Sequence, residues 1–296
     1  MNPLLHNVHV VNLDRSKERL DRIDLNLKKY GIKYKRFNAI DGKKLSMEQI
    51  DKVTTTTCRY LLCNRSIVGC GMSHITLWGE ISKSNDKWHL ILEDDAQITD
   101  ETIEFLNNLS KSSTMMNGDN QIISLTCTGM FCTGNPIKKD SGSEYVQNIL
   151  VENTYPLCII AYLITKNTAK KLYDHFVNNL IQYHIDHQVA WNLSELGIEY
   201  YTTNHEVIGM TVHNDSTTIG SRSLFLLSNL LKLLGLNGLA WQLSVPTFTI
   251  NMSIMINGYI LIFFALLILN FFIFKNTIVY IYLLLELTIA IILWYQ

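Results

Sequence analysis

Trp88-His89-Leu90-Ile91-Leu92-Glu93-Asp94-Asp95-Ala96 is an apolar run that ends in three consecutive carboxylates. A short apolar run rich in branched residues reads as a buried β-strand. The acids then stand at the rim of a sheet, beyond the last ladder pairing. Side chains alternate along a strand, so Glu93 and Asp95 point one way and Asp94 the other. An acid-x-acid pair of this kind can hold a hard divalent cation, which in turn neutralises a diphosphate. Acids at a strand end can equally be a solvated turn.

Outward from this run, short apolar stretches alternate with amphipathic ones. Val8-His9-Val10-Val11-Asn12-Leu13 reads as another buried strand. Residues 15–30 read as a helix, with Leu20, Ile23 and Leu27 at spacings of three and four, and Gly31 ends it. Residues 34–40 are extended, and a helix over residues 72–82 precedes the acid-tipped strand. Residues 122–125 and 158–164 read as further strands, and residues 167–180 and 186–196 as helices. Polar, Gly-containing loops occupy residues 111–120 and 135–143. This alternation predicts an α/β fold with a mostly parallel sheet and a site at the C-terminal ends of its strands.

The chain has 296 residues and a net charge of -1, so no basic field gathers nucleic acid. Charged residues make up 17% of it, and they thin out towards the C-terminus. Residues 1–222 form one domain of ordinary size. Residues 223–250 read as an amphipathic or juxtamembrane segment. Residues 254–274 and 277–294 are each about long enough to cross a hydrocarbon core. Residues 251–296 therefore predict a membrane anchor of two transmembrane helices, or one crossing plus an interfacial segment. Arg222 and Lys232 against a lone Lys275 place the preceding domain on the cytosolic side. Glu286 inside such a span must face a partner helix or another subunit. Among the six cysteines, Cys58–Cys63 and Cys127–Cys132 lack the companions of a zinc site, and reduced thiols are expected.

Four blocks lie in order around the acids. Val10-Val11-Asn12-Leu13-Asp14-Arg15-Ser16-Lys17-Glu18-Arg19 comes first, then Phe37-Asn38-Ala39-Ile40-Asp41-Gly42. Gly69-Cys70-Gly71-Met72-Ser73-His74-Ile75-Thr76-Leu77-Trp78 follows, and Ile91-Leu92-Glu93-Asp94-Asp95 is the last. Together they resemble glycosyltransferase family 25, the lipooligosaccharide β-galactosyltransferase and procollagen galactosyltransferase group. The resemblance implies a GT-A-like domain that moves a hexose, galactose or glucose, from a UDP-sugar donor with inversion. The acceptor would be a hydroxyl of a glycan, a lipid-linked glycan or a protein hydroxylysine, and the cofactor Mn²⁺ or Mg²⁺.

The residues also carry readings of their own. Asn12, Asp14 and Arg15 follow the first strand, where an open sheet receives a nucleotide, or Asp14 caps the next helix. Asp41-Gly42 is a turn, with nucleotide contact implied by the resemblance. Ser73 and Asp94 fall on the nucleotide side in the same way. Gly69 and Gly71 stand ahead of a helix whose N-terminus would bind phosphate. His74 and Trp78 share one face of that helix; either contacts the sugar, or Trp78 is simply core. Glu93 and Asp95 are the candidate metal ligands. His213, in a segment similar to a late His-containing stretch of the procollagen group, would complete them. Asp186 is the candidate catalytic base or a helix cap, although His184 stands where the family has Pro. Two rival readings remain: a catalytically silent, membrane-tethered binding protein, and a nucleotidyltransferase or phosphohydrolase.

Overall fold

The computed structural model describes residues 2–126, 134–137, 144–153, 159–210, 225–236, 239–240, 243, 246–250 and 254–295. Two compact units divide the chain. One comprises residues 1–40, 70–179 and 185–215, and the other residues 41–69, 180–184 and 216–296.

The first unit contains β1 (Val8–Asn12), β2 (Lys35–Asn38), β3 (Trp88–Glu93), β4 (Ala96–Gln97), β5 (Gln121–Ser124), β6 (Asn135–Pro136), β7 (Leu150–Glu152), β8 (Ala161–Thr165), β9 (Glu199–Thr203) and β10 (Gly209–Met210). Eight of these form one sheet in the order β2-β1-β3-β8-β5-β9-β7-β6, and β4 pairs with β10 apart from it. The half β2-β1-β3 is parallel, and the helices Lys17–Lys29 and Arg65–Ile81 lie in its connections. β8 runs antiparallel to both β3 and β5, and β7 antiparallel to β9 and β6. The expected mostly parallel sheet is therefore corrected to a mixed one. Apolar β8 is buried along its whole length, and a fully buried strand reads alike in either direction.

Both faces of the sheet are covered. Val8, Val10, Leu90 and Leu92 pack with Ile23, Leu27, Phe105 and Leu106 on one side. Val11, Ile91, Tyr162 and Ile164 pack with Leu77, Trp78, Leu172 and Phe176 on the other. Gly31 ends the helix Lys17–Lys29 in the left-handed region at φ 66°. The helix Arg65–Ile81 begins earlier than its pattern suggested, because Asn64 Oδ1 accepts from Ile67 N at 2.9 Å and caps it. Gly69 and Gly71 are thus inside a helix, with no open N-terminus beside them for a phosphate.

In the second unit, Ser46 and Gln49 close a capping box on the helix Met47–Val53. Cys58 and Cys63 form a disulfide, which corrects the expectation of reduced thiols at this pair. Cys127, Cys132 and Cys158 lie outside the described residues. The segment 223–250 is broken into a helix, Phe225–Leu233, and a strand, Pro246–Ile250.

The transmembrane hairpin is also corrected. Ile254–Asn257 is spent as a strand paired with Pro246–Ile250, and the helix behind it, Gly258–Leu269, has only 12 residues. At about 1.5 Å per residue that is far short of a hydrocarbon core of about 30 Å. Asn270–Phe274 is a separate wide turn that ends at Lys275 with φ 48°. Thr277–Tyr295 carries Glu286, whose carboxylate accepts from Leu226 N and Leu227 N at 3.0 Å and from the Tyr282 hydroxyl at 2.8 Å. Glu286 does face a partner helix, but as the N-terminal cap of Phe225–Leu233. Among the described residues no helix is long and apolar enough to cross a membrane, so the integral anchor and the cytosolic orientation drawn from it are not supported. Hydropathy counted apolar residues such as Phe271, Phe272 and Ile273, which are exposed here, without seeing where the helices break.

Two predictions follow from buried groups of these units. His9 Nε2 and His89 Nδ1 meet at 3.1 Å inside the β1–β3 pair. Burial first, then His89 and Lys35, pushes His9 from 6.5 down to about 4, and burial lowers His89 as well. The unfolded chain then binds more protons between those values, so stability is full above pH 6.5 and falls as the pH drops towards 4. Urea titrations at pH 7 and 5 should differ by about 2 kcal/mol from His9 alone. Equal midpoints would refute a neutral pair. Replacing both Cys58 and Cys63 by Ser should cost about 2 kcal/mol by loop entropy, and the difference from the parent should vanish once the parent is reduced.

Candidate active site

The carboxylates stand where β3 runs out. β3 ends at Glu93, and Asp94 and Asp95 make the turn into β4. Arg19, on the helix after β1, reaches both: its Nη2 lies 2.5 Å from Asp94 Oδ1 and 2.7 Å from Asp95 Oδ2. Asn12, the last residue of β1, donates to Asp94 Oδ2 at 2.7 Å and to Ser16 O at 3.0 Å, and accepts from Arg36 Nε at 3.0 Å. β1 and β3 are parallel neighbours, so their C-terminal ends deliver Asn12 and the acids to one edge. Burial raises the Asp94 carboxyl, against the pull of Arg19 and Asn12. Burial, then Glu93, pushes Asp95 up to about 7, again with Arg19 opposing and Asp94 adding.

Glu93 turns to the helix Arg65–Ile81. Cys70, His74 and Trp78 recur there every fourth residue and share a face. His74 Nε2 lies 3.3 Å from Glu93 Oε1, and its Nδ1 lies 2.9 Å from the Tyr162 hydroxyl. One donor atom from each of Cys70, His74 and Glu93 falls within 4.8 Å of the others. Burial raises the Cys70 thiol well above its ordinary value, with Glu93, Asp186 and Asp95 adding to the effect. Asp186 is therefore in the same electrostatic neighbourhood as the strand-end acids.

The remaining expected residues divide. Asp14 receives Arg36 Nη2 at 2.8 Å and Asn38 Nδ2 at 3.0 Å beside Asn12. Arg15 is exposed close by in sequence. Ser73 is buried and its hydroxyl accepts from Ile40 N at 2.8 Å, tying the end of β2 to the helix. Trp78 is core, packed against Phe176. Asp186 sits in the first turn of Ile185–Leu196, and its Oδ1 accepts from His187 N at 2.8 Å. Asp41 and Gly42 belong to the other unit: Asp41 caps the turn Gly42–Lys44, and a Cβ on Gly42 would collide with the Arg65 carbonyl oxygen. His213 lies outside the described residues. Arg19, Arg36, Cys70 and Tyr162 are the participants that sequence reading did not single out. Arg19 closes the first block and was the one with a usable signal, a basic residue one helical turn behind Asp14-Arg15; Tyr162 had none.

Arg19→Met should leave Asp94 and Asp95 facing each other without their shared cation. For this half-buried pair we expect a loss of about 1–3 kcal/mol in urea unfolding, much of it restored by adding Asp95→Asn. Strict additivity of the two substitutions would show that the pair is not coupled through Arg19.

The model of "Glycosyltransferase family 25 (LPS biosynthesis protein)" matches residues 5–189, which include β1, β3, the strand-end acids and Asp186. The immunodominant envelope protein p35 of fowlpox virus (strain NVSL) is 26% identical over 164 residues, which cover 53% of this chain and 47% of that protein. Procollagen galactosyltransferase 2 of Homo sapiens is 26% identical over 176 residues, 56% of this chain and 27% of the relative. A glycosyltransferase 25 family member of Drosophila melanogaster is 29% identical over 98 residues, 31% of this chain and 16% of the relative. The chain thus spans less than half the length of each of these relatives. With the family match extending over most of the first unit, the chain belongs to glycosyltransferase family 25.

Proposed function

We propose that this chain transfers a hexose, galactose or glucose, from a UDP-sugar to an acceptor hydroxyl with inversion at the anomeric carbon. The acceptor class is a glycan, a lipid-linked glycan or a hydroxylysine. One observation carries the reading: Glu93, Asp94 and Asp95 follow one another at the end of β3, Arg19 pairs with the last two, and burial, then Glu93, pushes Asp95 up to about 7. Such a cluster gains from one more positive charge, and oxygen donors suit a hard ion. Asp95 with Glu93 would hold Mn²⁺ or Mg²⁺, and His213 is the residue proposed to complete the set. Bound there, the ion supplies positive charge against the diphosphate as the glycosidic bond breaks.

The chain's own groups have the other tasks. Asn12 and Arg19 hold Asp94 in place and oppose the upward push of burial on its carboxyl. Asp14, Arg36 and Asn38 form the polar edge proposed to meet the nucleotide, at the ends of parallel β1 and β2. Asp186 is the proposed base: it takes the proton of the acceptor hydroxyl as that oxygen attacks the anomeric carbon and the nucleotide leaves. A second reading, a binding protein on the same fold without turnover, draws support from the similarity to an envelope protein.

The test is release of UDP from UDP-galactose and UDP-glucose by the full chain, with Mn²⁺ or with EDTA. Metal-dependent release, reduced by about 10²-fold or more in Asp95→Ala, is the expected outcome. Metal-dependent UDP binding without release across the acceptor classes would favour the binding protein. A folded sample that binds no UDP-sugar with Mn²⁺ would sink the donor assignment, and release of inorganic phosphate would point to a phosphohydrolase.

A further inference from the structure

Four side chains from two strands and one helix form a single hydrogen-bonded chain that ends on Glu93. Trp78 Nε1 donates to the Tyr162 oxygen at 3.0 Å, Tyr162 Oη meets His74 Nδ1 at 2.9 Å, and His74 Nε2 meets Glu93 Oε1 at 3.3 Å. Trp78, His74 and Tyr162 are each only 1% exposed. The chemistry of the groups fixes the direction of every link. An indole N–H can only donate, so the phenol oxygen accepts from Trp78. The phenol proton is buried and needs an acceptor of its own. Among the described residues, His74 Nδ1 is the acceptor in reach. Nδ1 therefore carries no proton, the neutral ring holds its proton on Nε2, and Nε2 donates to Glu93. Donation runs from Trp78 through Tyr162 and His74 to the carboxylate without a break.

We propose that Tyr162 and Trp78 are positioning residues that lock His74 in its Nε2–H tautomer, so that His74 clamps one oxygen of Glu93 and presents the other to the cation and nucleotide. The proposal rests on the reading of Glu93 as part of that site. It also assigns the group Cys70–His74–Glu93 a role other than metal binding. Its donor atoms are close enough to suggest an ion, but an ion on His74 Nε2 would force the proton onto Nδ1. The Tyr162 hydroxyl would then lose its acceptor inside the core.

The experiment is ¹⁵N NMR of histidine-labelled full chain, with the His74 ring assigned as the signal missing from His74→Gln. The expected spectrum has an unprotonated Nδ1 and a protonated Nε2. An Nδ1–H ring or an imidazolium in the parent would overturn the proposal, whatever the protein binds. Tyr162→Phe removes the hydroxyl at constant ring volume. It should abolish the single-tautomer signature and weaken Mn²⁺-dependent UDP binding by about tenfold, with metal-free UDP binding little changed. A lost tautomer signature with unaltered UDP affinity would overturn the positioning role. If the parent shows the Nε2–H ring and yet binds no UDP with Mn²⁺, the donor reading fails while the hydrogen-bonded chain stands.

Discussion

Burying carboxylates at the end of a strand is the constraint around which this fold is arranged. A buried carboxylate without partners costs several kcal/mol, and Asp94 is buried between two half-buried acids. The first unit answers with groups from three directions. Arg19 comes from the helix after β1, Asn12 from the end of β1 itself, and His74 from the helix before β3. Arg19 and Asn12 depend on the parallel pairing of β1 and β3, which brings the end of one strand beside the end of the other. Burial, then the neighbouring Glu93, still raises Asp95, with Arg19 opposing.

The parts of this arrangement that were legible in the sequence are those written in a single stretch. The apolar run into Glu93-Asp94-Asp95 announced β3 and its tip, and the periodicity of Leu20, Ile23 and Leu27 announced the helix that carries Arg19. Spacing alone put His74 and Trp78 on one face. Relations between distant stretches were not legible. Arg19 is far from Asp94 and Asp95 in sequence, and Tyr162 further still from His74; nothing local distinguishes Tyr162 from an ordinary core residue. Strand direction failed for a related reason. A run such as Ala161–Thr165 states that it is buried but not which way it runs, and its antiparallel course turned an expected parallel sheet into a mixed one.

The C-terminal region illustrates a different limit. Average hydropathy over residues 254–294 is high, and length arguments built on it treat the stretch as continuous helix. The structure interrupts it with a strand, a wide turn and the left-handed Lys275. Glu286, which looked like an expensive intruder, satisfies two free amides at the start of Phe225–Leu233 and so has a local structural use. Helix breaks of this sort are set by pairing and capping, which a window average cannot register.

The register of β8 carries a consequence for how the strand-end site is made. Tyr162 lies opposite Ile91 across the antiparallel β3–β8 pair. Side chains alternate, so a slip of one residue would turn Tyr162 to the other face and put Ala161 or Leu163 beneath His74. Both replacements are apolar and both would bury well. A slipped molecule would keep its secondary structure and a plausible core, and would differ chiefly in a histidine with no hydroxyl to orient it. Quality control of this fold therefore cannot rely on compactness or helix content. Strand alignment and assembly of the strand-end site are a single event, and preparations that look homogeneous by size can still contain molecules in which that event went astray.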